Sequence, residues 1–477
     1  MEEKRELFER MPVPKALATL AIPTIISQLI TMIYNLADTF FIGMADNPSQ
    51  TAASSVSFTL VFLMACISNL FGVGGGSLIS RLMGEKRDKD AASVASFSFY
   101  GSLVISLVYS ALVFAFMEPL LLRLGATESS LHYAKDYALW VIVIGGIPAT
   151  LGMTMSHLFR SEGFAKYASF GLGMGGILNI ILDPIFMFVI LPEGNETKGA
   201  AIATMLSNVA VLVYFVVIYL IKRKKSVISL SINTAIPEKR YIGNVFAVGL
   251  PSALGTFLAC FTNIVINNLT SNYGDVAVAA VGIAKKIDML PMNVGMGLCQ
   301  GMMPLVAYNF ASGDYKRMKA FATYARAVGM GFAGVCIVVF EIFASPIVGV
   351  FNGHLETVAL GTDFLRILCL AVPLMIFNFQ LSFTFQAMGM GKQSLILSSL
   401  RQGLVNSPLL FVMHHFFGLY GVVWTQLVSD GITSLISYAI YRHSYKKLFA
   451  EQEAREVLET KTNSKVEKTG HKSPVFL

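Results

Sequence analysis

The stretch AIPTIISQLITMIYNLADTFFIGM, from Ala21 to Met44, decides the fold. Its only charged residue is Asp38, and about 20 apolar residues are enough for a helix to cross the hydrocarbon core of a bilayer. Because lipid offers no hydrogen-bond partners, a spanning segment must pair its backbone groups internally, as a helix does. This stretch therefore predicts a membrane-spanning helix that carries a carboxylate.

The same apolar character continues along the chain. Of its 477 residues, 55% are hydrophobic and 14% are charged, and the mean hydropathy is +0.64. Soluble domains carry roughly 25% charged residues. We therefore predict an all-α integral membrane protein with twelve transmembrane helices, over residues 16–42, 52–81, 91–117, 134–158, 167–191, 199–221, 242–270, 276–308, 320–343, 358–386, 394–416 and 419–441.

The charged residues predict the orientation of these spans. The net charge of +7 comes from basic clusters at span ends, such as Lys222–Lys225, and not from a nucleic-acid surface. Loops on one side hold most of the Lys and Arg residues, which the positive-inside rule places in the cytoplasm. We expect a multi-pass protein of the cytoplasmic membrane with both termini inside and no nucleic-acid partner. The five cysteines fall in apolar spans without metal-type spacing, so no metal site is expected.

An internal repeat divides the chain into two halves. Ala21–Pro23 returns as Gly249–Pro251, which is a shift of 228 residues, and the same shift pairs Asn35 with Asn263. Later matches pair Asp183-Pro184 with Ser407-Pro408 and Ser207-Asn208 with Ser429-Asp430. We predict two pseudo-symmetric six-helix lobes around a central cavity. The expected divisions are a cytoplasmic N-terminus (1–15), the N-lobe (16–221), a cytoplasmic linker (222–240), the C-lobe (241–445) and a partly disordered cytoplasmic tail (446–477).

Ionisable groups inside spans are costly and usually functional. Two pairs in the N-terminal half, Tyr34 with Asp38 and Asn179 with Asp183, lie four residues apart and so share a helix face. Ala200 and Thr204 in the sixth span have the same spacing. If the three faces converge, they form a hard-oxygen set that suits an alkali cation or a shared proton. The alternatives are that Asp38 is hydrated near a span end and that Asp183 caps or kinks its helix.

These residues and several others resemble one family of transporters. The run from Tyr34 to Gly43 resembles the first helix of multidrug and toxic compound extrusion (MATE) transporters, and further similar motifs are Gly84-Glu-Lys-Arg, Arg160-Ser-Glu-Gly163, Asn179 to Pro184, Gly199 to Thr204 and Pro304 to Gly313. The resemblance spans residues 10–445. It implies a twelve-helix, two-lobe antiporter that exports organic compounds against inward flow of Na⁺ or H⁺.

The resemblance also implies residue roles. Members of one bacterial branch hold their coupling cation in the N-lobe, and the matching positions here are Tyr34, Asp38, Asn179, Asp183 and Thr204, with a backbone carbonyl from Ala200. The sequence departs from members that carry carboxylates in the seventh and tenth helices, so a second acidic site in the C-lobe is not expected. Pro23 is the candidate hinge of the first helix. Candidate residues of the substrate cavity are Asn35, Asn263, Asn267, Lys285, Lys286, Asp288 and Gln380.

For two sets of charged residues in the C-terminal half, the sequence leaves alternatives open. Lys285 and Asp288 are three residues apart, so they can pair on one helix face or contact a substrate. Arg401 and Asp430 are better explained as structural residues.

The functional prediction is a transporter and not an enzyme, because no catalytic motif is present. We expect cation-coupled export of organic compounds that are cationic or amphipathic, by a monomer whose neighbours are membrane lipids. No cofactor is expected beyond Na⁺ or H⁺ as the coupling ion. The alternatives are a lipid-linked oligosaccharide flippase of the same superfamily and an integral-membrane enzyme.

Overall fold

The structure is a computed structural model that describes residues 6–44, 47–351 and 353–469, and the side chains of all of these except 48 and 449–469. Within these ranges the chain is almost entirely helical and contains no strand. The helices are α1 (Val13–Met44), α2 (Pro48–Gly84), α3 (Asp88–Ala115), α4 (Met117–Arg123), α5 (Glu128–Ala138), α6 (Gly146–Ser161), α7 (Ala165–Ile185), α8 (Glu196–Lys222), α9 (Lys239–Ser271), α10 (Asp275–Ala311), α11 (Tyr315–Phe351), α12 (Leu355–Ala387), α13 (Gly391–Ser399) and α14 (Asn406–Thr469).

Short π-helical turns join or extend several of these helices, at Glu6–Arg10, Leu139–Ile144, Phe186–Ile190 and Leu400–Leu404. The predicted tail continues α14 as helix to Thr469, and residues 470–477 of that tail lie outside the described residues, as do residues 1–5 of the N-terminus.

Long apolar helices account for most of the predicted spans. In the described part of the chain, nine helices are long and apolar enough to cross a membrane, or ten when one bent pair is counted as a span. The ninth of them, Gly391–Leu448, has 58 residues, about twice the length that one crossing needs. The helix α10 supplies a further 37-residue segment whose charges lower its mean hydropathy. Two crossings in the 58-residue segment and one in α10 bring the number to twelve.

The 58-residue segment reverses direction at Gly418. The backbone there has φ 57° and ψ −136°, which is not helical. A Cβ atom placed on Gly421 would lie 2.0 Å from the carbonyl oxygen of Met413, so the chain returns directly onto the preceding helix. The predicted boundary between the last two spans, at 416–419, coincides with this reversal.

The fourth span differs from the simple helix predicted over 134–158. It begins at Glu128 and bends by 45° between Glu128–Ile144 and Gly146–Ser161. The π-helical turn Leu139–Ile144 precedes the bend, and the Gly145 N–H donates to the carbonyl of Trp140 at 2.9 Å. This extra residue in the turn lets the chain change direction while its backbone groups stay paired.

The two halves form lobes that pack together at one end. The largest buried cluster contains Phe8 and Tyr445 from opposite ends of the chain, together with residues of both halves. We call this end of the molecule the termini end. Each lobe has a second buried cluster of its own, one within the C-lobe and one within the N-lobe.

Small residues allow the lobes to approach closely at the termini end. A Cβ atom on Gly301 of α10 would lie 2.5 Å from the Cα atom of Ala21 in α1. A Cβ atom on Gly249 of α9 would lie 1.9 Å from the carbonyl oxygen of Leu70 in α2. Ala21 and Gly249 are the residues that the 228-residue repeat pairs, so the two crossings are related by the pseudo-symmetry.

The segment before α1 also bridges the lobes. The Phe8 ring stacks on Tyr308 with centroids 4.7 Å apart, and Arg317 donates hydrogen bonds to the carbonyls of Phe8 and Met11 at 2.8 and 2.6 Å. Leu7 lies against Gly163 of the N-lobe. These contacts hold the N-terminal segment across the closed end of the molecule.

The linker between the lobes is attached to the N-lobe. The buried carboxylate of Glu162 accepts hydrogen bonds from the Ser226 hydroxyl at 2.6 Å and from the Val227 N–H at 2.8 Å. On α3, Ser96 donates to the carbonyl of Ser229 at 2.7 Å. Glu162, the acidic residue of the Arg160-Ser-Glu-Gly163 motif, therefore attaches the linker to the N-lobe.

Candidate functional site

Three helices of the N-lobe converge where the sequence predicts a polar pocket. Ile42, Met187 and Ala200 form a small buried cluster. Ile42 lies one turn beyond Asp38 in α1, and Met187 lies one turn beyond Asp183, in the π-helical turn that follows α7. The predicted faces of α1, α7 and α8 therefore meet, and Ala200 lies in the cluster at their junction.

Hydrogen bonds connect the polar side chains of this pocket. The Asn179 amide donates to Asp183 Oδ1 at 3.0 Å and to Thr204 Oγ1 at 3.2 Å. Asp183 is completely buried, and its carboxylate Oδ1 is held by the Asn179 amide one turn earlier on the same helix. Tyr34 packs against α7 so closely that a Cβ atom on Gly176 would lie 3.1 Å from its ring.

Three oxygen atoms in the pocket have no hydrogen-bond partner among the described residues. They are Asp38 Oδ1, Asn179 Oδ1 and Asp183 Oδ2, and each of them is buried. An unpaired buried acceptor is costly. Asp38 and Asp183 also lie close enough to interact electrostatically with each other. A cation or a proton would relieve both problems, because either one neutralises charge and satisfies the acceptors.

Tyr137 is a neighbour of this pocket that sequence reasoning missed. This buried residue interacts electrostatically with Asp38, Tyr34 and Asp183. It lies in α5, just before the bend of the fourth span, at a position that the predicted span 134–158 contained but did not single out. No spacing pattern in the sequence relates Tyr137 to the other polar residues, because it lies in a different helix.

The candidate residues of the C-lobe form a separate group. Lys285 donates to Asn263 Oδ1 at 3.2 Å, and the largely buried Asp288 accepts from Gln426 at 3.2 Å. Lys285 and Asp288 do not form an ion pair among the described residues, although they interact electrostatically. The remaining polar candidates Asn35, Asn267 and Lys286 are exposed.

Gln380 lies apart from both groups. It is buried, its amide oxygen accepts from Arg326 at 2.9 Å, and its amide nitrogen donates to the carbonyl of Ala322. Both polar atoms of its side chain therefore take part in hydrogen bonds within the helix packing of the C-lobe.

Arg401 and Asp430 are partners, although nothing in the sequence around either residue indicates this contact. They form a salt bridge at 2.8 Å within the C-lobe. This contact agrees with the structural role expected of both.

The candidate hinge Pro23 lies inside an unbroken α1. Proline lacks an N–H group, so it removes one backbone hydrogen bond from the first half of this helix. The bond is missing fifteen residues before Asp38, on the segment that contacts α10 at Ala21.

The chain matches the MatE family twice, over residues 23–185 and 251–412. The two matched segments begin 228 residues apart, as the internal repeat predicted. The multidrug export protein MepA of Staphylococcus aureus (strain MRSA252) is 31% identical over 439 residues, which cover 92% of this chain and 96% of that protein. MepA of Staphylococcus saprophyticus is also 31% identical, with the same coverage.

Solved structures share the architecture. A crystal structure of MATE in complex with MaL6 superimposes with a TM-score of 0.87 at 23% identity, covering 94% of this chain and 99% of that one. A multidrug resistance MATE transporter of the MOP superfamily in an outward-facing conformation gives 0.84 at 23% identity, covering 94% and 98%. These similarities confirm the twelve-helix, two-lobe fold.

Proposed function

Because the chain belongs to the MatE family of membrane transporters, we propose that it exports organic compounds, drugs among them, in exchange for Na⁺ or H⁺ bound in the N-lobe. The two MepA proteins that it resembles are named as multidrug export proteins. Export, and not catalysis, is the activity that these relatives support.

A set of buried side-chain oxygens in the N-lobe is the observation that carries this proposal. Asp38, Asn179 and Asp183 each have a buried oxygen in this pocket that finds no hydrogen-bond partner in the part of the chain that the structure describes. A soluble or purely structural protein would gain nothing from this arrangement, because every such oxygen costs free energy of folding. An ion that enters and leaves the pocket during the transport cycle would alternately satisfy these oxygens and leave them unpaired.

We assign the ion-binding step to the two carboxylates. When the ion is absent, two ionised carboxylates in this pocket repel each other. The pocket therefore attracts a cation. Binding of Na⁺ or H⁺ removes that repulsion and lets α1 pack more closely on α7. The membrane potential supplies about 2.3 kcal/mol per charge for each 100 mV, in addition to the concentration gradient.

We further propose alternating access between two packings of the lobes. The close approaches at Ala21–Gly301 and Leu70–Gly249 lie in the halves of their helices nearest the termini. With the basic loops at that end placed in the cytoplasm, this structure is closed toward the inside. The missing hydrogen bond at Pro23 gives α1 a place to bend when the lobes rearrange.

Transport by the purified protein in liposomes tests the proposal. Efflux of a cationic dye such as rhodamine 123 is measured with a Na⁺ gradient and with a H⁺ gradient, each imposed separately at zero membrane potential. We expect one gradient to drive dye movement and the other to have little effect. Dye movement that ignores both gradients would show that the N-lobe pocket does not couple transport to an ion.

A further inference from the structure

A small cavity lies between the two lobes near the termini end. On the N-lobe side it is lined by residues of α2 and α6, and on the C-lobe side by residues of α10 and α12. Val73 and Met303 line it and also belong to the buried cluster of the termini end. Its volume of about 20 Å³ is enough for one or two water-sized species. A small ion or water fits this space, and an organic compound does not.

Arg160 brings a buried positive charge to this cavity. Its side chain lines the cavity, and the residue is only 4% exposed. The guanidinium connects the lobes, because its Nη1 donates to Gln300 Oε1 at 3.1 Å, and its Nη2 donates to Ser156 Oγ at 3.3 Å. Both acceptors are neutral, so they satisfy N–H groups of the guanidinium without cancelling its charge.

No acidic side chain compensates this charge. The residues that line the cavity include no Asp or Glu, and none of the salt bridges in the described part of the chain involves Arg160. Glu162, two residues further on, accepts hydrogen bonds from Ser226 and Val227 of the linker. A buried charge without a counter-ion is costly. An anion beside the guanidinium would remove that cost.

The nitrogen atoms around the cavity are available as donors. Arg160 Nε is buried and has no hydrogen-bond partner among the described residues. Gln300 accepts from Arg160 through its amide oxygen, and its amide nitrogen carries two N–H groups. His157 Nδ1 lies 3.5 Å from Arg160 Nη1, and a guanidinium can only donate, which leaves the imidazole proton on Nε2. An anion can accept from all three side chains, whereas a water molecule brings two further protons that need acceptors.

We propose that this cavity binds a chloride ion, held by the guanidinium of Arg160 and the N–H groups of His157 and Gln300. Chloride carries its charge on a single atom, whereas a carboxylate or a phosphate group is too large for the space. Gln300 belongs to the opposite lobe from the other two residues, so the complete set of donors exists only while the lobes are packed at the termini end. Chloride therefore favours this packing over one in which the lobes are apart.

Thermal unfolding of the purified protein in detergent tests this assignment. Sodium chloride replaces sodium gluconate stepwise, so that ionic strength and Na⁺ concentration stay constant and only the anion changes. Gluconate is too large for the cavity. We expect the melting temperature of wild type to rise by a few degrees, steeply at low chloride and then more slowly, as for a ligand that binds only the folded protein. A linear rise, or none, contradicts the proposal.

Arg160→Gln should abolish this dependence on chloride. The variant carries no buried charge at this position, so in gluconate it should be at least as stable as wild type. Arg123→Gln is the control, because Arg123 is exposed at the end of α4, and it should keep the wild-type response. The assignment is overturned if chloride still stabilises Arg160→Gln, or if Arg123→Gln loses the response as well.

Labelling of Cys299 provides a second measurement, which reports on the packing of the lobes. This buried residue precedes Gln300 in α10. In a variant that retains no other cysteine, a small maleimide should react several times more slowly in chloride than in gluconate, and adding Arg160→Gln should remove the difference. Equal rates in the two salts would refute the effect on lobe packing, and equal melting temperatures would mean that water, and not an anion, fills the cavity. The wild-type titration and the labelling in the presence of Arg160 remain decisive even if Arg160→Gln does not fold.

Discussion

Arg401 Nε lies 2.8 Å from Asp430 Oδ1, and both side chains are largely shielded from solvent inside the C-lobe. The guanidinium also lies over the ring of Phe379, 4.3 Å from its centroid. Asn378 donates to the backbone carbonyl of Asp430 at 3.1 Å. The salt bridge therefore joins the eleventh and twelfth spans to α12 through a small polar cluster that faces no lipid.

Removing one partner of this salt bridge should destabilise the protein more than replacing both partners with apolar residues. Arg401→Ala or Asp430→Ala leaves one buried charge unpaired, which costs about 3–5 kcal/mol. The double variant Arg401→Met, Asp430→Leu removes both charges and should recover most of that loss. Thermal unfolding followed by size-exclusion chromatography in detergent measures all three. The exposed pair of Arg366 and Glu341, 3.6 Å apart, is the control, and Arg366→Ala should cost about 1 kcal/mol or less.

The two acids of the N-lobe should both be needed for coupled transport. Asp38→Asn and Asp183→Asn each remove a charge while preserving shape, so we expect gradient-driven dye transport to fall to background while expression and folding persist. Asp363 is an exposed carboxylate of the C-lobe that accepts from Tyr420 at 3.1 Å, and Asp363→Asn should transport normally. Full transport by Asp183→Asn would remove that residue from the coupling site.

Tyr137 should tune the N-lobe pocket without being essential. Its electrostatic contact with Asp38 and Asp183 predicts that Tyr137→Phe changes the concentration of coupling ion needed for half-maximal transport by about threefold to tenfold, the effect of one polar contact. The measurement is dye transport as a function of ion concentration. Tyr133→Phe, one turn earlier on α5, serves as the control and should leave that concentration unchanged. An identical curve for Tyr137→Phe and wild type would show that the hydroxyl takes no part.

The glycine contacts between the lobes should control how tightly the termini end closes. Gly249→Ala places a Cβ atom where the carbonyl of Leu70 now lies, so the lobes must separate slightly. Cys299 is buried on α10, two residues before Gly301, which also packs against the other lobe, and its labelling by a small maleimide should become several times faster in a variant that retains no other cysteine. Gly331→Ala is the control because nothing lies within 4 Å of its added Cβ. Equal labelling rates in the two variants would argue against this contact as a gate.

Glu162 should hold the linker on the N-lobe. Glu162→Ala removes the acceptor of both Ser226 and Val227, so we expect trypsin to cleave after the basic residues Lys222–Lys225 several times faster in native protein. Glu193 lies in an exposed loop between α7 and α8, and Glu193→Ala should leave the cleavage rate unchanged. A linker that is equally resistant in both variants would mean that Glu162 does not anchor it.

Much of the fold follows from features that lie along one helix. Span length and hydropathy gave the twelve crossings, and the spacing of Asn179 and Asp183 gave the correct face of α7, because residues four apart share a side of any helix. The pairing of helices is different. Arg401 and Asp430 are 29 positions apart, and nothing in either span indicates that they meet. Tyr137 was missed for the same reason, since only the folded structure brings it near Asp38.

Local backbone irregularities could not be predicted from the sequence either. The bend after Trp140 depends on a π-helical turn within an apolar run that also suits a straight helix.

The attachment of the linker to the N-lobe sets a limit on how the halves can move. Its hydrogen bonds extend as far as Thr234, to which Ser93 donates at 2.7 Å, and α9 begins at Lys239. The stretch 235–238 therefore connects this hydrogen bond to the start of α9, and its five peptide steps can reach about 18 Å at most. Near the linker the two halves can rotate relative to each other but cannot move far apart. Any wide separation between them has to occur at the opposite end of the molecule.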